Sequence, residues 1–112
     1  MSIAGDLIRG HTDAIILARL LHADSYGYEI NKVISTLSGG RFELKEATLY
    51  TAFRRLEDAG YIASYWGDSV TGARRRYYTI TPEGKDICHR LLCEWKETKE
   101  IMDNLLETEV QL

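Results

Sequence analysis

Along the first third of the chain, apolar residues recur at helical spacing. Ile3, Leu7, Ile8, Ile15, Ile16, Leu17, Leu20 and Leu21 predict one helix over residues 3–21, densest in its second half and so buried on more than one side. Tyr26, Ile30, Val33, Ile34 and Leu37 form a second stripe, with Asp24 and Ser25 placed to cap it and Gly39-Gly40 to end it. Phe42 and Leu44 alternate with Glu43 and Lys45 in a short linker. The stretch EATLYTAFRRLEDAG, residues 46–60, then sets Leu49, Phe53 and Leu56 at i, i+4 and i+7, which predicts a third helix stopped at Gly60.

The period changes after Gly60. YIASYW (residues 61–66) and RRYYTI (residues 75–80) are rich in aromatic and β-branched residues, and GDSVTG between them carries turn chemistry, so a β-hairpin is expected. Thr81-Pro82 supplies a cap residue and a proline at the first helical position. A final helix follows to about Glu107, with Ile87, Leu91, Leu92, Trp95, Met102, Leu105 and Leu106 on one side and an acidic opposite face, as in a coiled-coil arm. The predicted class is mainly α with a small β-hairpin. Helix, helix, helix, hairpin, long helix is the order of a winged helix-turn-helix over residues 1–81, followed by a dimerisation helix over residues 82–112.

In that arrangement the third helix is the one offered to a DNA major groove. Burying Leu49, Phe53 and Leu56 turns Ala47, Thr48, Thr51 and Arg55 outward, with Tyr50 and Arg54 at the margin. Small and hydroxyl-bearing residues near a helix N-terminus let the backbone approach a duplex, and arginines further along reach phosphate or guanine. Lys45 precedes this face, and the hydroxyl of Tyr28 is a further candidate for a phosphate. Arg74, Arg75 and Arg76 on the hairpin are expected to contact phosphate, a role that sets affinity and salt dependence more than sequence choice. A solvated helix face, or a protein-interaction module with an acidic partner, would also present such residues.

Charge distribution favours the first reading. The net charge of −3 hides a segregation: residues 41–81 carry seven basic and five acidic groups, while residues 82–112 carry four basic and eight acidic ones. With 112 residues, 45 % of them hydrophobic, the chain suits one compact domain. It has no apolar run near the roughly 20 residues of a membrane span and no leader-like N-terminus, so a cytoplasmic protein is expected. Cys88 and Cys93 read as small hydrophobes outside any disulfide framework. His89 and Cys93 share a helix face at i, i+4, but a closed metal site wants four ligands, so neither a metal nor a cofactor is expected. No nucleophile, base and orienting group stand at a recognisable spacing, which argues against an enzyme.

The sequence resembles the PadR family of transcriptional regulators, in its short form with one C-terminal helix. The resemblance is carried by Tyr26-Gly27-Tyr28-Glu29-Ile30, Gly40-Arg41-Phe42, Ala47-Thr48-Leu49-Tyr50, Arg55-Leu56-Glu57, Gly60-Tyr61-Ile62, Arg75-Arg76-Tyr77-Tyr78 and Thr81-Pro82-Glu83-Gly84. It implies a homodimeric repressor of a pseudo-palindromic operator in double-stranded DNA, the C-terminal helix of each copy packing on the partner's N-terminal helix. Leu44 to Thr51, Ser64 to Asp68 and Glu94-Trp95 are similar, more narrowly, to multidrug-binding members. That likeness implies a planar aromatic ligand held between two copies of Trp95, with Leu7, Gly10, Asp13 and Ala14 as further walls. Lys99 joins this set at a position where those members carry an acidic residue. A tryptophan at a dimer seam can also be plain packing, which leaves a regulator without an inducer as the alternative.

Overall fold

The computed structural model describes residues 3–68, 72, 74–107 and 109. Its elements are α1 (Ile3–Arg9), α2 (Thr12–His22), α3 (Gly27–Leu37), α4 (Glu46–Asp58), β1 (Ile62–Asp68), β2 (Arg74–Ile80) and α5 (Pro82–Glu107). The architecture is mostly helical, with one antiparallel hairpin and a long C-terminal helix, as the hydrophobic pattern predicts. Among the described residues no helix is long and apolar enough to cross a membrane.

The single N-terminal helix expected over residues 3–21 is two helices. The chain breaks at Gly10 and His11, where the His11 N–H bonds the Ile8 carbonyl at 2.8 Å and the Thr12 hydroxyl donates to the Arg9 carbonyl at 2.7 Å. Glycine lowers helix stability and a threonine hydroxyl competes for backbone carbonyls, so RGHT stops one helix and starts another. The apolar gap between Ile8 and Ile15 was the visible sign.

Asp24 and Ser25 do not cap α3 either; its N-cap is Tyr26, without a side-chain cap bond. Ser25 is recruited by the hairpin instead, exchanging backbone hydrogen bonds with Tyr78 at 3.2 and 2.7 Å while its hydroxyl donates to Glu29 at 2.5 Å. The Asp24 carboxylate accepts the Tyr65 hydroxyl at 2.7 Å. The turn before α3 therefore ties the helical core to the wing. At the other end of α3, Leu37 lies 67 % exposed rather than in the stripe, because the helix stops there. Gly39, at φ +66°, turns the chain so that the Gly40 N–H bonds the Ser35 carbonyl at 2.7 Å.

Asn31 sets the path of the chain between α3 and α4. Its side-chain amide donates to the Leu44 carbonyl at 2.7 Å and accepts the Leu44 N–H at 2.8 Å, clamping the linker just before α4 begins. The core then closes over the inner face of α4: Leu49, Ala52, Phe53 and Leu56 are buried with Ile16, Leu17 and Leu20 of α2 and Ile30 and Ile34 of α3. The Phe53 ring stacks on Tyr78 with centroids 4.0 Å apart, bolting α4 to β2.

β1 and β2 pair from Ile62↔Ile80 to Asp68↔Arg74, two residues further toward the tip than the sequence pattern suggests on the first strand and one on the second. Residues 69–71 and 73 of the expected turn lie outside the described residues. After the hairpin, the Thr81 hydroxyl accepts the Gly84 N–H at 3.0 Å and donates to the Gly60 carbonyl at 2.7 Å, capping α5 while anchoring it to the end of α4. Gly84 is buried here, and a Cβ on it would stand 2.0 Å from the Tyr61 carbonyl oxygen. The first half of α5 packs on α2 through Ile87, Cys88, Leu91 and Leu92, whereas Leu105 and Leu106 are 72 % and 75 % exposed. Cys88 behaves as a core hydrophobe, with burial pushing its thiol up, whereas Cys93 is exposed.

Candidate nucleic-acid interface

The outward face of α4 has two flanks. Ala47, Thr51, Arg54 and Arg55 are exposed, Tyr50 is 45 % exposed and Thr48 is half-buried. Lys45 stands exposed at the N-cap, its carbonyl accepting the Leu49 N–H at 2.9 Å. Helical geometry sends Tyr50 and Arg54 toward the hairpin, and Thr48 and Arg55 toward α2.

On the hairpin flank a groove of about 620 Å³ runs between the start of α3, α4 and the wing. Among the described residues, Arg54, Arg74, Arg75 and Arg76 line it against one carboxylate, Glu57, and its aromatic walls are Tyr26, Tyr28, Tyr50, Trp66 and Tyr78. Tyr28 sits in the first turn of α3 and is 72 % exposed.

The three arginines are not equivalent, because successive strand residues face opposite sides. Arg74 and Arg76 share a face with Trp66; Arg75 shares the other with Tyr77 and Tyr65. The Arg74 guanidinium lies 5.4 Å from the Trp66 ring centroid. Arg76 donates to Ser64 at 2.9 Å and to Glu57 at 3.2 Å, so a neighbouring anion partly offsets its charge. Arg75 donates to the Tyr26 hydroxyl at 2.9 Å and packs over that ring at 4.6 Å. Each is held in place within the chain, which lowers the entropy such a side chain would lose on pairing with an anion.

The α2 flank differs. Ala47, Thr48 and Thr51 line a shallower hollow of about 380 Å³ with Arg9, Thr12 and Arg55. Arg55 is ion-paired with Asp13 at the start of α2, and this hydrogen bond, with the adjacent charge, raises the guanidinium pKa further. Arg55 is thus a cation of the α4 surface restrained by an anion from another helix.

Asp13 also belongs to a second region. A hollow of about 330 Å³ brings Arg9, Asp13, Arg55 and Glu94 beside Trp95, and an apolar hollow of about 270 Å³ lies among Ile8, Ile15, Ala18, Leu91 and Leu92. Ala14, His11 and Trp95 border both, and Gly10 borders the first. Trp95 is 46 % exposed, with the His11 ring edge-on at 5.3 Å. Leu7 and Lys99 line neither hollow: Leu7 is 69 % exposed on α1, and Lys99 donates to Asp103 at 2.8 Å, a bond that raises its pKa. Asp103 already satisfies that cation, so Lys99 takes no part in the charged hollow, where Asp13 is paired with Arg55.

Sequence reasoning did not single out Tyr26, Glu57, Trp66 or His11. The period-two alternation of the hairpin holds the signal for Trp66, since it pairs with Arg76 and shares its face with Arg74. Tyr26 and His11 acquire their roles only through contacts distant in sequence, with Arg75 and Trp95 respectively.

Comparison with known proteins points the same way. The profile of the transcriptional regulator PadR-like family matches residues 16–90. An uncharacterized protein from Lysinibacillus sphaericus is 48 % identical over 105 residues, covering 94 % of this chain and 96 % of that one. The solved structure of a transcriptional regulator from Clostridium thermocellum is 46 % identical, with a TM-score of 0.84 over 94 % of this chain and 99 % of the other. A PadR family transcription regulator from Clostridium difficile is 39 % identical, with a TM-score of 0.75 over 86 % and 98 %.

Proposed function

The chain belongs to the PadR-like family of transcriptional regulators, and on that premise we propose that it is a homodimeric repressor that binds a pseudo-palindromic operator. The family comprises transcription regulators rather than enzymes. One observation carries the reading: the four-arginine groove runs alongside the exposed flank of α4, so a helix sized for the major groove and a cationic track for the adjoining backbone are adjacent. Ala47, Thr48, Thr51 and Arg54 meet base edges or nearby phosphates; Tyr28, Lys45, Tyr50 and Arg74 to Arg76 hold the backbone. Residues 1–81 are the DNA-binding part and residues 82–112, with α5, the dimerisation part. The exposed Leu7, Ile101, Met102, Leu105 and Leu106 supply the apolar surface a second copy would cover. A DNA-bound role assigns the protein to the cytoplasm.

A planar hydrophobic ligand at the dimer seam relieves repression in this reading. The likeness to multidrug-binding members supports it, as do the hollows flanking Trp95. Asp13 supplies a physical route, since it borders the Trp95 hollow and is ion-paired to Arg55 of α4. The ligand's effect is bounded by the difference in its affinity for the two arrangements of the dimer.

In vitro selection from random duplexes tests the function. The expected product is a two-half-site sequence, with half-sites about one helical turn apart or a multiple of it, bound with an affinity that falls as salt rises. Enrichment of no sequence, or affinity indifferent to salt, contradicts a repressor. Trp95→Ala is expected to abolish quenching by planar dyes while preserving operator binding; retained quenching removes the seam site.

A further inference from the structure

Trp66 is the least explained side chain on the wing. It is 57 % exposed at mid-strand in β1, although tryptophan is among the side chains that gain most from burial. Its exposure does not belong to the apolar surface of α1 and α5, because the groove it lines shares no residue with either hollow beside Trp95. The indole instead stands among cations, with Arg76 opposite it across the hairpin and the Arg74 guanidinium 5.4 Å from its ring.

The ring is also mounted rigidly. On the other face of the hairpin, Tyr65 and Tyr77 stack with centroids 5.6 Å apart, and Tyr26 meets Tyr77 edge-on at 5.4 Å. Gly67, next to Trp66, admits the Tyr77 ring to a place where a Cβ would stand 2.7 Å from it. Aromatic packing thus fills the back of the wing and leaves one large ring, flanked by two arginines, on the front.

An apolar plane with the Arg74 guanidinium over it, and Arg76 opposite it on the next strand, complements the nucleic-acid backbone, which alternates apolar sugars with anionic phosphates. We propose that Trp66 is a DNA-contacting residue, laying its indole against the deoxyribose edge of the duplex while Arg74 and Arg76 take the phosphates on either side. This rests on the DNA-binding reading and adds to it a non-ionic, sequence-independent contact made by the wing. Removing an uncharged contact lowers affinity without changing the number of counterions released, which separates Trp66 from its arginine neighbours.

The experiment uses the full chain and a dye-labelled duplex obtained by the selection above, with anisotropy read across a salt series. Trp66→Ala is expected to weaken binding by about 5-fold or more, the low end of what an aromatic contact to nucleic acid contributes, with the salt slope unchanged and Trp66→Phe retaining most of the affinity. Arg74→Ala is expected to reduce the slope. In a Trp95→Phe background Trp66 is the sole tryptophan, and its emission is expected to change as the duplex saturates, whereas Trp95→Phe/Trp66→Ala shows the weakened binding relative to that background. Undiminished affinity in Trp66→Ala overturns the contact and leaves the DNA-binding reading intact. Weaker binding with Trp66 emission unmoved assigns the residue to hairpin packing and also overturns it. No duplex binding by the unmodified protein removes both readings.

Discussion

The Asp13–Arg55 pair joins the hollow beside Trp95 to the outer side of α4, and its removal has a calculable effect. Asp13→Asn keeps the side-chain shape, takes away the anion that restrains Arg55 and raises the net charge of each chain by one. The two side chains are 39 % and 53 % exposed, so the pair contributes only about 0.2–1 kcal/mol, and the fold should tolerate its loss. That same energy opposes transfer of Arg55 to a phosphate. With two protomers on each operator, as proposed, the restraint totals about 0.4–2 kcal/mol, or roughly 2- to 30-fold in affinity. Asp13→Asn is therefore expected to tighten operator binding within that range. If each freed Arg55 neutralises a further phosphate, the slope of log K against log salt steepens by about 0.9 per protomer, or roughly 1.8 per dimer. Fluorescence anisotropy against salt reads both quantities. Weaker binding by Asp13→Asn, or an unchanged slope, would mean that Asp13 orients Arg55 for DNA instead of competing for it, and the reasoning would fail.

The packing around the hairpin gives two stability predictions. Gly84→Ala places a methyl group against the Tyr61 carbonyl and 2.8 Å from Ile80 Cγ1. Forced overpacking costs about 1–3 kcal/mol, and each kcal/mol lowers the melting temperature of a domain this size by about 4–8 °C; an unaltered melting curve by circular dichroism would show that α5 is not seated on Tyr61. Burial pushes the Tyr78 hydroxyl above its ordinary range, so its neutral form stabilises the fold below about pH 10 and that contribution is lost as pH rises through the folded value. Tyr65 acts in the same direction through its bond to Asp24. Alkaline melts of Tyr78→Phe should therefore retain part of the stability the unmodified protein loses, and identical losses in both would exclude Tyr78 as a source.

The fold was legible where local chemistry and burial agree. Leu49, Phe53 and Leu56 read as the inner side of a helix and are buried, and Thr81-Pro82 read as a helix start and is one. Reading failed where a residue served a distant partner. Ser25 carries capping chemistry but is used by Tyr78, and the helix expected over residues 3–21 breaks at Gly10 and His11, where Thr12 bonds back to Arg9. The candidate site divides in the same way. The exposed face of α4 and the splitting of three consecutive arginines between two faces follow from periodicity alone, yet the elements that Arg54 and Arg55 meet and the link from Asp13 to α4 depend on tertiary packing. Spacing along the chain records which residues share an element's face, while the element that covers or restrains them lies elsewhere in the sequence.

The central claim is spatial: the outer side of α4 and the wing form one duplex-binding surface. Amide chemical-shift mapping of the isotope-labelled full chain, titrated with its selected operator duplex, tests it most directly. The account predicts the largest shifts at Lys45 to Arg55, Tyr28, Trp66 and Arg74 to Arg76. Shifts confined to α1 and the second half of α5, with α4 and the wing unchanged at saturation, would contradict it.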